Sequence, residues 1–162
     1  MNKRTFSVTD RRSYAAAGPT DLVELNAAPG NNPLFLPKWL VESVVYGIVA
    51  HEFIHLSGPT GSAKSSLLEA LYLVPDNFAA VCDAIGFAPR DLVVYPIEMT
   101  TYETPGELYQ RRALRDGTTF DERSRLVEAL LDANRRKQDS YALVWLREMG
   151  RVHTASVQGG LL

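Results

Sequence analysis

The chain has 162 residues, enough for one domain with a sizeable core. Its formal net charge of −2 at pH 7 gives no global basic field, so we expect no nucleic-acid partner. Cys82 is the single cysteine, which excludes an internal disulfide and a thiolate metal cluster. No run approaches the roughly 18 apolar residues of a membrane helix, and the N-terminus lacks the apolar core of a signal peptide, so we expect a cytoplasmic protein without membrane contact.

The first part of the chain predicts a leader, a helix and a strand. We expect an irregular leader over residues 1–36 and a folded domain over residues 37–162. Pro37 suits the first position of a helix, and apolar residues spaced at i, i+3, i+4 and i+7 predict an amphipathic helix over residues 38–50. Residues 52–56 then form a short apolar run that predicts a strand.

The middle of the chain predicts two helices and a second strand. Helical spacing of leucines predicts a helix over residues 64–73, which a proline then closes. Asn77 can cap a short helix that ends at Gly86. Residues 91–97 are rich in valine and read as the second strand.

The last part predicts a hairpin, a helix and a third strand. Asp116 and Gly117 stand between two short runs, as in a two-residue hairpin turn. Asp121 can cap a helix through about Asn134. Residues 140–146 are apolar almost throughout, as in a strand covered on both faces. Strands that alternate with helices predict an α/β fold with a parallel sheet between two helical layers.

A glycine-rich loop lies between the first strand and the 64–73 helix. Gly58, Lys64 and Ser65 fit the phosphate-loop pattern, whereas Ala63 replaces its second glycine. Such a loop offers curled backbone N–H groups to a polyphosphate, and the helix that follows directs its positive end at the same anion. Lys64 would reach the β- and γ-phosphates, the Ser65 hydroxyl would bind magnesium, and ATP and Mg²⁺ are therefore the predicted cofactors. The predicted nucleotide-binding residues are Gly58, Pro59, Thr60, Gly61, Ser62, Ala63, Lys64, Ser65 and Ser66.

The loop and the segments after it resemble the AAA+ ATPases, in particular the MoxR-like and dynein-related branch. Segments at residues 102–109, 115–120, 124–133 and 144–149 follow in the family's order, and the resemblance covers residues 34–162. It implies a three-layer α/β/α P-loop NTPase fold. It also implies ATP hydrolysis that remodels a protein partner, in a ring-type homo-oligomer.

The resemblance assigns the catalytic roles, with two departures at the end of the third strand. It implies Lys64 and Glu148 as catalytic residues, Glu148 orienting the attacking water. The alternative for Glu148 is an ordinary surface glutamate at a strand end. Arg147 stands where the family has the aspartate that helps to hold magnesium. The family's further strands, sensor residue, arginine finger and helical lid have no room after Leu162, so we expect a partial module, truncated or completed by a partner.

Two other functions stay open beside the ATPase. The first is a nucleotide-dependent binding or regulatory module without useful turnover, which Ala63 and Arg147 favour. The second is a P-loop small-molecule kinase, in which the third strand lies directly beside the strand entering the loop. Direct pairing of residues 53–57 with residues 141–146 would favour the kinase, and a gap or a foreign strand between them would favour the AAA+ interpretation.

A zinc-protease pattern overlaps the predicted first strand. His51, Glu52 and His55 match His-Glu-x-x-His, which binds zinc when both histidines share one face of a helix. In a strand the two histidines would lie about 13 Å apart, too far to bind one zinc ion. We therefore interpret this stretch as a helix end followed by a buried strand.

Overall fold

The computed structural model describes residues 21–27, 31–101 and 104–148, and it shows a mixed α/β fold that contains a small parallel sheet. The chain divides into two compact units, Met1–Leu92 and Val93–Leu162. Within the described ranges, no helix has the length and apolar character needed to cross a membrane.

In the described residues of the first unit, the chain starts with an antiparallel hairpin. Strand β1 (Leu22–Leu25) pairs with β2 (Leu34–Pro37), so that Val23 lies opposite Leu36 and Leu25 opposite Leu34. Side chains alternate between the two faces of a strand, so these four residues share the face toward the core, where Leu25 is 2% exposed. Leu22 and Phe35, on the other face, are exposed. All of β1 and residues 34–36 of β2 lie in the stretch predicted to be an irregular leader, and that prediction is wrong for these residues.

The described part of the first unit also contains three helices: α1 (Lys38–Val49), α2 (Lys64–Leu73) and α3 (Pro75–Ala84). The predicted bounds of α1 are confirmed to within one residue, and those of α2 are confirmed at both ends. Helix α3 starts two residues before Asn77 because Pro75 occupies its first turn, so Asn77 does not cap it. Their buried faces supply the core of the unit, which includes Val41, Val44, Val45, Ile48, Leu67, Leu71, Phe78 and Cys82.

Helix α1 ends in a Schellman motif. The Glu52 N–H donates to Gly47 O (2.9 Å) and the His51 N–H to Ile48 O (3.2 Å), while His51 takes the left-handed conformation at φ 57°. The helix therefore stops before His55, so the zinc-protease pattern lacks the helix on which its geometry depends.

The predicted strand over residues 52–56 is wrong, because the described part of the chain provides no strand that pairs with it. Packing holds this segment instead: Ile54 lies so close to Gly47 that a β-carbon on that glycine would meet Ile54 Cγ1 at 2.7 Å. Without this strand, the strand order that would separate the AAA+ interpretation from the kinase is undefined, and both stay open.

The second unit contains the parallel pair and an antiparallel hairpin. In chain order it has β3 (Leu92–Glu98), 3₁₀ turns at Met99–Thr101 and Pro105–Leu108, β4 (Gln110–Arg115), β5 (Thr118–Arg123), α4 (Arg125–Arg136) and β6 (Tyr141–Arg147). Strands β3 and β6 pair in parallel. The core of the unit consists of Ile97, Met99, Leu108, Leu126 and Ala129, with Tyr95, Val144 and Leu146 packed against it.

The predicted hairpin is confirmed, and the following helix begins later than predicted. Arg115 pairs with Thr118 across a two-residue turn in which Asp116 (φ 51°) and Gly117 (φ 75°) both have positive φ, the geometry of a type I′ turn. Asp121 lies in β5 and caps nothing. Ser124 caps α4 instead, because its Oγ accepts from the Val127 N–H (3.2 Å).

A polar cluster ties α4 to β3. Tyr95 Oη donates to Asp132 Oδ2 (2.7 Å), and Arg136 Nε donates to the same oxygen (2.9 Å). The hydrogen bond from Tyr95, followed by that from Arg136, lowers the pKa of Asp132. Burial, together with the hydrogen bond to Asp132, raises the pKa of Tyr95.

We expect Tyr95→Phe to weaken the dependence of the free energy of unfolding on pH in the acid range. A lowered folded-state pKa stabilises the protein above the usual carboxyl pKa of about 4, and this contribution is lost as pH falls through the folded value. The variant is then less stable than wild type at pH 7, and the difference shrinks toward pH 2. Urea denaturation at a series of pH values measures it, with Tyr46→Phe, at an exposed tyrosine of the first unit, as control. A constant difference across that range would contradict the role of Asp132.

Candidate functional site

We call residues 58–66 the 58–66 loop. Its backbone curls just before α2, and its last three residues form the first turn of that helix. The Ser62 N–H donates to Pro59 O (3.3 Å), which closes a turn, and Gly61 has φ 81°. The helical ladder begins where the Leu67 N–H donates to Ala63 O (2.9 Å). The N–H groups of Lys64, Ser65 and Ser66 stand in the first turn of α2, where a helix offers no carbonyl partners of its own.

Ala63 holds the conformation for which the phosphate-loop pattern uses glycine. Its φ of 59° and ψ of 18° are left-handed, and it is the residue immediately before α2, where its side chain makes no capping hydrogen bond. The β-carbon of an L-residue in this region crowds the backbone and costs roughly 1–2 kcal/mol. Alanine at this position therefore adds strain energy to the loop, which glycine in the same conformation would not.

We expect Ala63→Gly to stabilise the first unit by about 0.5–1 kcal/mol, because glycine takes a positive φ without strain while adding some freedom to the unfolded chain. Thermal or urea unfolding measures the change. The control is Ala80→Gly, at an exposed position inside α3, which should destabilise by about 1 kcal/mol. If both variants lose stability alike, strain at Ala63 is negligible.

The Lys64 ammonium points into the loop. Its Nζ donates to Gly58 O (2.9 Å), Pro59 O (2.7 Å) and Ser62 Oγ (3.0 Å), which uses all three of its donors. These partners hold a positive charge at the centre of the curled backbone. An incoming phosphate oxygen would replace one or more of these acceptors and would gain a charge-assisted hydrogen bond.

A cavity of about 220 Å³ joins the loop to an apolar wall. Three of its lining residues, Leu36 of β2, Leu40 of α1 and Leu67 of α2, form what we call the apolar wall. The rest of the lining consists of His55, Leu56, Ser57, Gly58, Pro59, Ser62, Ala63 and Lys64. A cleft lined by a lysine, by the residue before a helix and by several leucines suits a ligand that carries an anionic group on an apolar ring.

The structure brings the loop residues together in the first unit, and Glu148 belongs to the second. Glu148 follows the last residue of β6, at the strand end where the sequence predicted it, with φ 58°. The Arg147 guanidinium carbon lies 5.1 Å from the Trp145 ring centroid, a cation–π distance. No group of three or more His, Cys, Asp or Glu side chains in the described ranges is placed to hold a metal ion.

Comparison with family models, with curated proteins and with solved structures finds no match to this chain. The resemblance to AAA+ ATPases therefore stays a prediction from the sequence.

The sequence did not predict the apolar wall of the cavity. Leu36 lies in the stretch expected to be irregular, and Leu40 and Leu67 were expected only as helical residues. The short apolar run Leu34-Phe35-Leu36, which lies between two prolines, is a strand signal that could have revealed the hairpin. Nothing local to these residues indicates that three separate elements meet beside the loop.

Proposed function

We propose that the 58–66 loop binds ATP together with Mg²⁺. The observation that carries this proposal is one cavity that contains a lysine ammonium, the uncapped start of a ten-residue helix and an apolar wall. An anion at a helix N-terminus is stabilised by N–H donors and by the helix dipole. A lysine among these donors adds a full positive charge, which a polyphosphate requires.

The lining suggests how the nucleotide would lie. The phosphates would occupy the loop, with Lys64 on the β- and γ-phosphates and the Ser65 hydroxyl on magnesium. The nucleoside would then face Leu36 and Leu40, since apolar contact suits the flat base. Ser65 is exposed and therefore accessible to a hydrated metal ion.

We extend the proposal to the fold and to turnover. The small parallel pair of β3 and β6, with helices in the same chain, supports a three-layer P-loop NTPase fold resembling the AAA+ class. In that arrangement ATP hydrolysis, with Lys64 and Glu148 as catalytic residues, would drive the remodelling of a protein partner within a ring-type homo-oligomer.

A second candidate is a nucleotide-dependent binding module without useful turnover. Arg147 favours it. Its guanidinium lies against the Trp145 ring, next to Glu148 in sequence, and a guanidinium cannot bind a metal as a carboxylate does. In this case nucleotide binding itself would be the signal, and hydrolysis would be slow.

Titration of the wild-type chain with a fluorescent ATP analogue in the presence of Mg²⁺ tests the proposal. We expect saturable binding that ATP and ADP displace and that adenosine displaces poorly, since the phosphates carry the interaction with the loop. Binding that stays undetectable at millimolar nucleotide would refute the proposal.

A further inference from the structure

Asn77 is a buried polar residue whose hydrogen bonds join two elements. It is 4% exposed, in the first turn of α3. Its Oδ1 accepts from the Asn26 N–H (3.0 Å), and its Nδ2 donates to Asn26 O (2.8 Å) and to Ala70 O (2.9 Å). The side-chain amide thus pairs with the backbone of Asn26 much as a neighbouring strand would.

The two partners of Asn77 lie next to different elements that line the cavity. Asn26 directly follows β1, which pairs with β2 and so with the wall residue Leu36. Ala70 lies in the last turn of α2, where helical carbonyls lack complete internal partners. The same helix begins at Lys64, which also lines the cavity. One side chain therefore links the apolar wall to the helix that carries the loop lysine.

We infer that Asn77 is a positioning residue of the nucleotide site, which sets the β1–β2 hairpin at the distance from α2 that suits a nucleoside. The inference rests on the proposed ATP binding. An apolar side chain at this position would leave the polar groups of Asn26 and Ala70 without a partner, and burial of such groups is costly. The hairpin would then shift or loosen, while the 58–66 loop, held by its own hydrogen bonds, would keep its shape.

The substitution Asn77→Leu, which replaces the amide by an apolar side chain of similar size, distinguishes nucleoside binding from phosphate binding. We expect the affinity for MgATP to fall about tenfold, because hydrogen bonds that hold the nucleoside wall are lost. The affinity for inorganic tripolyphosphate, which needs the loop alone, should change less than about twofold on the same scale. The ratio of the two affinities is the readout, because a general loss of stability would move both.

Val81→Ala is the matched control, since Val81 is buried in the same helix and makes none of these hydrogen bonds. It should destabilise the unit and leave the affinity ratio unchanged. An unchanged ratio in Asn77→Leu, or equal weakening of both ligands, would overturn the positioning role. A wild type that binds neither ligand would instead refute the proposed function.

Hydrogen exchange on the wild type tests the same inference without a variant. The Asn26 amide, which donates to Asn77, should exchange several-fold more slowly with MgATP bound, because the occupied wall suppresses local opening. Tripolyphosphate should leave its rate unchanged. If both ligands protect this amide equally, or neither does, the hairpin is not part of the nucleoside site, and the inference fails even where Asn77→Leu does not fold.

Discussion

Lys64→Ala is expected to lower the affinity for MgATP about a hundredfold, because it removes a charge-assisted partner of the phosphates from the centre of the 58–66 loop. The three loop oxygens that bind Nζ in the free protein then lose their donor as well. Both effects act at the phosphate end of the cavity. Displacement of a fluorescent ATP analogue measures the loss.

Lys38→Ala is the matched control for charge. Lys38 lies in the same unit, and its ammonium makes a surface ion pair with Glu42 at 3.8 Å, a kind of pair that contributes little to stability. This variant should bind MgATP as the wild type does. Equal affinities of Lys64→Ala and wild type, with both chains folded by circular dichroism, would show that nucleotide binds elsewhere or not at all.

The second large effect concerns turnover. If Arg147 and Glu148 are the residues that act in the proposed ATP hydrolysis, the wild type should hydrolyse ATP slowly, because Arg147 cannot ligate a metal. Arg147→Asp supplies the carboxylate and also removes the stacking contact with Trp145. We expect it to raise steady-state phosphate release about tenfold, a change of roughly 1.4 kcal/mol in the barrier.

Two variants control this comparison. Arg123→Asp makes the same charge reversal at an exposed position in β5 and should leave the rate unchanged. Glu148→Gln, made in the Arg147→Asp background, should abolish the gain, since it removes the group that orients water. A wild type that is already fast, with a slower Arg147→Asp, would show that residues 147 and 148 are not the assigned pair.

Local signals predicted the elements that local chemistry determines. Helix α2 begins after a glycine-rich loop and ends before Pro75, so residues next to the helix determine both of its ends. The β4–β5 turn follows from Asp116 and Gly117, two residues that tolerate positive φ. The composition of the 58–66 loop predicted a curled backbone, and positive φ at Gly61 and Ala63 is what that composition requires.

The errors arise where distant residues decide the outcome. Residues 52–56 have strand character, yet a strand forms only where a partner pairs with it, and their sequence does not reveal the lack of one among the described residues. Asn77 reads as a helix cap because that is its commonest local use. Its actual partners lie 51 residues earlier, at Asn26, and in the preceding helix, at Ala70.

The most direct test of nucleotide binding by the 58–66 loop is the ¹H–¹⁵N NMR spectrum of the chain, recorded with increasing MgATP. Backbone N–H groups that contact phosphate change their chemical environment strongly, so we predict that the largest shifts will fall on the amides of Gly61 through Ser66. Smaller shifts should appear at Leu36 and Leu40. A spectrum unchanged at millimolar MgATP, or shifts confined to residues outside this cavity, would contradict the proposal.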